Sequence, residues 1–146
     1  MAVVSAVTAF RTPAQAGQTE RVLVDPVSGV AIFGYDPVCY FLDGTPRAGL
    51  EAHELVWAGA TWRFRSPGNL AAFQDAPDVY APAFGGYAAE YVANARAVAS
   101  DPTLHAILAD RLFLFRSISG RADFVTDERR QAAEAAWPAL QASLLP

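Results

Sequence analysis

Short apolar stretches rich in β-branched residues alternate with turn residues along most of the chain. Stretches of this length that are separated by Pro, Gly, Asp and Ser predict antiparallel hairpins. Three pairs have this form: residues 22–24 with 30–33, residues 54–57 with 61–65, and residues 104–109 with 112–115. No internal repeat or low-complexity stretch is evident in the sequence.

Short helices are predicted where a capping residue precedes proline, because the cap accepts backbone N–H groups and proline fits the first helical turn. Three dipeptides have this form: Asp36-Pro37, Ser66-Pro67 and Asp101-Pro102. An alanine-rich helix is predicted over residues 87–97 and a C-terminal helix over residues 126–144. We therefore expect an α+β fold, with a small antiparallel sheet built from hairpins, short helices and a C-terminal helix packed on it.

The N-terminal residues have the pattern of a secretory signal. An apolar run over residues 2–10 is too short to span a bilayer, and Ala14-Gln15-Ala16 has the small-x-small form that signal peptidase accepts. Residues 1–16 are thus predicted to be a signal-peptide remnant, and residues 17–146 a single domain. This interpretation predicts a periplasmic or secreted protein with no integral membrane segment. The alternative is that the apolar run is an N-terminal tail or the first helix of the domain.

Composition narrows the chemistry further. Of the 146 residues, 53% are hydrophobic and 18% are charged, which is enough apolar material for a core. The large side chains expected in it are Trp62, Phe64, Phe73, Tyr80, Tyr87 and Trp137. The net charge is −4 and every basic residue is arginine, so general nucleic-acid binding is not expected. One cysteine excludes an intrachain disulfide, and two histidines are too few for a four-ligand Cys/His zinc site.

Several short motifs follow one another along the chain. They are residues 30–38 (VAIFGYDPV), residues 59–64 (GATWRF), Asn69 to Phe73, Pro77, residues 80–82 (YAP) and residues 84–87 (FGGY), and also residues 112–114 (LFL) and Trp137-Pro138. In this order they resemble the motifs of the YHS domain proteins, in particular the exported single-domain branch. The resemblance covers residues 24–140. It implies a small α+β fold and, in some branches, metal binding through an Asp-Pro-Val-Cys motif and two later cysteines. Cys39 stands in that motif, whereas Arg65 and Asn69 occupy the positions that resemble the other two thiols.

Cys39 is the only soft ligand in the chain. A soft ion such as Cu(I) needs a second donor, for which His53, His105 and Asp36 are the candidates. His53 is the best of these because it precedes a strand of the same predicted sheet. The alternative is that Cys39 is a small buried hydrophobe, His53 a solvated strand-edge residue and His105 a packed side chain. A small ligand is expected near Tyr35, Asp36 and Tyr87, beside the Gly85-Gly86 turn.

Three classes of function remain open. The first is an exported binding module for a small ligand or a copper-like soft metal ion near Cys39. The second is a non-catalytic interaction or structural domain, with a partner protein on an exposed face and a degenerate metal site. The third is an enzyme that uses Cys39 as a nucleophile or redox thiol, which would need a base within hydrogen-bond reach. The sequence favours the first class.

Overall fold

The computed structural model describes residues 21–145, and they form an α+β fold. The expected signal remnant, residues 1–16, lies outside the described residues. Within residues 21–145 there are four strands in two separate antiparallel hairpins, together with six α-helices. None of these helices is long and apolar enough to cross a membrane.

Two of the three predicted hairpins are confirmed. The first consists of β1 (Leu50–Trp57) and β2 (Ala60–Phe64), and the second of β3 (Asp101–Leu108) and β4 (Arg111–Phe115). The pair at residues 22–24 and 30–33 is wrong as a hairpin, since only an isolated bridge joins Val24 to Ala31. The second stretch cannot extend because Ile32–Gly34 form a 3₁₀ turn with Phe33 at a φ of 55°.

The helices are mostly short. They are α1 (Cys39–Leu42), α2 (Pro67–Asp75), α3 (Pro77–Tyr80), α4 (Ala89–Val92), α5 (Ile118–Phe124) and α6 (Asp127–Ser143). The cap predicted at Ser66 is confirmed, because its side chain accepts a hydrogen bond from the Asn69 amide. The predicted C-terminal helix is confirmed as α6. Pro138 lies inside it without ending it.

Two helix predictions are wrong. The helix predicted over residues 87–97 stops at Val92, because the amides of Asn94 and Arg96 both donate to the Tyr91 carbonyl and close a turn there. Asp101-Pro102 does not start a helix either. Asp101 pairs with Phe115 as the first residue of β3, and its carboxylate accepts from the Thr103 amide.

The two hairpins are copies of one structural unit, contrary to the expectation of no internal repeat. Each strand pairing in the first hairpin recurs 51 positions later in the second, and a bulge interrupts both at the equivalent place. The helix after each hairpin begins at an equivalent cap, with Ser66 accepting from Asn69 and Ser117 from Gly120. Before each hairpin lies a 3₁₀ turn that holds a phenylalanine at positive φ, Phe33 or Phe84.

Sequence identity between the copies is confined to a few positions. The tripeptide Phe-Arg-Ser occurs at residues 64–66 and again at residues 115–117. Phe73 and Phe124 also correspond, and both are fully buried on the helix that follows their hairpin. The repeat was missed because most of the intervening residues differ, while hairpin geometry tolerates many side chains at exposed positions.

The buried side chains form two clusters that meet at β4. Leu112 and Leu114 point into the first cluster, which contains the first hairpin, while Phe113 and Phe115 point into the second. This is the alternation expected of a strand covered on both faces. In the second cluster α6 contributes Ala133, which is fully buried. The expected core residues Trp62, Phe64, Phe73 and Tyr87 are buried, whereas Tyr80 and Trp137 are half-buried.

Candidate ligand-binding site

A cleft of about 580 Å³ lies where the turns of the two hairpins approach the second 3₁₀ turn (Ala83–Gly86) and α6. We call it the tip cleft, since Trp57, Ala58 and Gly59 come from the first hairpin turn and Arg111 from the second. Its volume falls within the range of small-molecule sites, roughly 300–1,000 Å³.

Four aromatic residues are among those that line the tip cleft. Trp57, Trp62, Phe84 and Trp137 all line it, and these include all three tryptophans of the chain. The Trp57 and Trp62 ring centroids lie 5.8 Å apart, and those of Phe84 and Trp137 lie 5.7 Å apart. The Trp62 indole N–H donates to the Trp57 carbonyl at 3.0 Å, which ties the turn to the strand below it. These contacts hold the wall in place without a ligand.

Gly85 lets the chain form one side of the cleft. Its φ is +62°, and its carbonyl accepts from the Leu23 amide at 2.8 Å, so the segment at residues 21–23 lies directly against it. A Cβ at this position would overlap the Arg21 carbonyl. The positive φ and this close approach both require glycine, and they fix the backbone of Arg21 and Val22 at the edge of the cleft.

Charged residues lie among the aromatic rings of the tip cleft. Arg21, Arg111 and Asp78 line it, and all three are exposed. The Arg111 guanidinium is 5.9 Å from the centre of the Phe84 ring and pairs with Glu134 at 3.0 Å. None of the described lining residues is Ser, Thr, Cys, His or Lys. The groups that line the cleft can bind and orient a ligand, and its described wall holds no hydroxyl, thiol or imidazole.

Cys39 does not line the tip cleft. It lies between Val38 and Tyr40, which belong to the first buried cluster. Its side chain is buried, at 1% exposure, and its sulfur accepts from the side-chain Nδ2 of Asn69 at 3.6 Å. Burial raises the pKa of the thiol from 9.0 to about 12, and the carboxylates of Asp36 and Asp43 act in the same direction. The thiol is therefore protonated at neutral pH and weak as a nucleophile.

Asp36 is fully buried beside Cys39, and its carboxylate is used in holding the backbone. One oxygen accepts from the Val38 amide at 2.8 Å. The other accepts from the Arg65 amide and from the Asn69 side chain, both at 2.8 Å. Asp36 thus links the segment before the first hairpin to the end of β2, with both of its oxygens satisfied.

The other expected site residues, Tyr35, Tyr87 and His53, lie outside the tip cleft. Tyr35 packs against the first cluster and forms a bridge with Ala48. Tyr87 is buried in the second cluster. His53 is half-buried within the bulge of β1. None of these residues lines the tip cleft, so the expected ligand site at Tyr35, Asp36 and Tyr87 is not the cleft found here.

No wider cluster of metal donors accompanies the site expected at Cys39 and His53 in the described residues. Among residues 21–145, no group of three or more His, Cys, Asp or Glu side chains is placed to hold a metal ion. A Cu(I) site at Cys39 and His53 stays a prediction. His105 packs its ring on Tyr40 with centroids 5.0 Å apart, and burial, with a smaller contribution from Arg121, lowers the pKa of His105.

The tip cleft could not be predicted from the sequence because its wall comes from five separate parts of the chain. The signals that were available are the tryptophan just before the first hairpin turn and the arginine just after the second. Nothing in the sequence indicates that the two turns come together. Only the repeat relation, read from residues 64–66 and 115–117, would have placed residues 57–60 and 108–111 in equivalent positions.

Comparison with known proteins adds no match: no family model, no curated protein and no solved structure resembles the chain closely enough to count.

Proposed function

We propose that this protein is an exported, YHS-like binding module for a small organic molecule, and that the molecule occupies the tip cleft. The observation that carries the proposal is the cleft itself, about 580 Å³ in volume, with four aromatic residues in its lining. Apolar surface of this kind gives binding energy, and a few charged groups at the edge give orientation. The lining favours binding over nucleophilic catalysis, since no hydroxyl, thiol or imidazole is found among its described residues.

Tryptophan fluorescence gives a direct test because all three tryptophans line the cleft. The probe is N-phenyl-1-naphthylamine, a neutral aromatic molecule that accepts energy from tryptophan. We expect saturable quenching at one site per chain. Val79→Phe places a larger side chain at the cleft, where Val79 is 53% exposed, and we expect it to weaken binding about tenfold.

Val56→Phe is the matched control, because Val56 is exposed on β1 and does not line the cleft. It should bind the probe as the wild type does. Quenching that does not saturate in the wild type would overturn the proposal. Equal affinity in Val79→Phe and the wild type would do the same.

Export is tested separately. The support for it is the apolar run at residues 2–10 and Ala14-Gln15-Ala16. Expression with the natural N-terminus in a bacterial host, followed by mass spectrometry of the periplasmic fraction, should give a chain that begins at Gly17. An intact N-terminus on periplasmic protein would contradict the processing site.

A further inference from the structure

The lining of the tip cleft is richer in positive groups than the chain as a whole. The chain carries a net charge of −4. Its cleft lining contains two arginines, Arg21 and Arg111, and one carboxylate, Asp78. An aromatic pocket can attract cations through its ring faces, but two guanidinium groups at the same pocket repel them. Arg111 is paired with Glu134, whereas Arg21 has no ion-pair partner among the described residues, and its charge favours an anion over a cation at this cleft.

Arg111 keeps donors for such an anion. One nitrogen of its guanidinium donates to Glu134 at 3.0 Å, and the group lies over two rings, 5.9 Å from Phe84 and 5.4 Å from Phe113. A guanidinium has five N–H donors, and one such contact leaves most of them open. The two rings restrict its position, so less conformational entropy is lost when it binds a ligand.

Arg21 supplies the second positive group. Its backbone is held by a hydrogen bond from its amide to the Leu145 carbonyl at 2.8 Å and by the close approach to Gly85. Within residues 21–145 its guanidinium takes part in no ion pair. It therefore lines the cleft as a positive charge that no described carboxylate neutralises.

We infer that the ligand of the tip cleft is an aromatic or fused-ring molecule with a carboxylate or sulfonate group, held by Arg111 and Arg21. The inference rests on the proposed function. The ring body packs against Trp57, Phe84 and Trp137, and the anionic group accepts hydrogen bonds from the guanidinium groups. Contacts between a charged donor and an anion are stronger than neutral ones and are directional, so they fix which end of the ligand enters first.

A matched pair of probes separates the ring from the charge. The sulfonate 1-anilinonaphthalene-8-sulfonate has the same anilinonaphthalene body as N-phenyl-1-naphthylamine and differs from it by one anionic group. Both are titrated by tryptophan quenching. At low salt we expect the sulfonate to bind about tenfold more tightly. Added salt should weaken binding of the sulfonate probe and leave binding of the neutral probe unchanged.

Three substitutions test which residues hold the anion. Arg111→Gln and Arg21→Gln should each weaken binding of the sulfonate probe about fivefold, as the loss of one exposed charge contact does. Each should change the affinity for the neutral probe less than about twofold. Asp78→Asn should strengthen binding of the sulfonate probe, because it removes the carboxylate from the cleft lining. Arg47→Gln is the control, because Arg47 is an exposed arginine paired with Asp43 outside the cleft.

The outcomes separate the anionic character of the ligand from the existence of a binding site in the cleft. Equal affinity for both probes, unchanged by the Arg21 and Arg111 substitutions, would overturn the anionic ligand and leave the aromatic cleft as a binding site. The absence of saturable quenching with either probe would overturn both. Urea unfolding of each variant checks that the loss of affinity does not come from a loss of the fold.

Discussion

The two halves of the molecule have the same backbone arrangement and differ in the residues at their hairpin turns. In the first half the turn is flanked by Trp57 and Ala60, and in the second by Leu108 and Arg111. The buried positions below are nearly alike, with Phe64 and Phe73 matched by Phe115 and Phe124. The comparison teaches that the core positions specify the unit, while the turns are free to diverge and together form an asymmetric cleft.

The segment before each hairpin shows a second difference. In each half a buried carboxylate accepts the amide that follows the hairpin: Asp36 accepts from Arg65, and Glu90 accepts from Arg116 and Ser117. The second oxygen of Asp36 also accepts from Asn69, where the second half has Gly120. In Glu90 the other oxygen, Oε2, is buried and has no hydrogen-bond partner among the described residues.

The largest effect should come from the phenylalanine shared by the two halves. Phe73 is fully buried and contacts Trp57, Trp62 and Phe64, so Phe73→Ala should lower the free energy of unfolding by about 3–5 kcal/mol. Phe124→Ala should cost a similar amount, because Phe124 is also fully buried. Urea unfolding measures both. A loss below about 1 kcal/mol in either half would mean that its helix does not pack as described.

Asp36 and Glu90 should respond differently to the same change of carboxylate to amide. Asp36→Asn puts an NH₂ group against N–H donors and should cost about 2–3 kcal/mol. Glu90→Gln keeps the accepting oxygen and replaces only the atom without a partner, so it should cost less than about 1 kcal/mol. Urea unfolding of the two variants gives the comparison. An equal loss for both would show that the two carboxylates are held in the same way.

Much of the fold was predictable and the site was not. The hairpins at residues 54–65 and 104–115 and the cap at Ser66 follow from local signals, since strand pairing and capping depend on neighbours in sequence. The prediction of a helix over residues 87–97 was wrong because alanine content gives only a weak preference for helix, and the turn at Tyr91 overrides it. The cleft depends on contacts between distant segments, which no local pattern carries.

The equivalent glycines of the two 3₁₀ turns should differ in their tolerance of a methyl group. Both have positive φ, so alanine is strained at each by about 1–2 kcal/mol. At Gly34 the nearest side-chain atoms to an added Cβ lie 3.8 Å away, whereas at Gly85 the Cβ would overlap Arg21. Gly85→Ala should therefore lower stability more than Gly34→Ala, and it should also weaken binding of the neutral probe. Equal stability of the two variants would argue against the close approach of residues 21–23.

Cys39 gives the first half a chemical group that the second half lacks. With 1% exposure in the native state, it should react slowly with a thiol reagent at neutral pH and quickly in urea. Rapid labelling of native protein would contradict its burial. The Cu(I) site expected at Cys39 and His53 is tested by calorimetric titration of the reduced protein. Binding that Cys39→Ser abolishes and His53→Ala weakens would support it, and no binding by the wild type would contradict it.

A further effect, absent at neutral pH, should be a loss of stability at alkaline pH that comes from the first half. The pKa of Cys39 is 9.0 ordinarily and about 12 in the fold. Below pH 9 the thiol is neutral in both states, and its contribution to stability is complete. Between pH 9 and 12 the unfolded chain loses the proton and the folded chain keeps it, so rising pH favours unfolding. Burial also raises the pKa of Tyr40, which acts in the same direction. The free energy of unfolding should fall through this range in the wild type and fall less steeply in Cys39→Ala. Parallel curves for the two proteins would mean that the thiol is not buried as a neutral group.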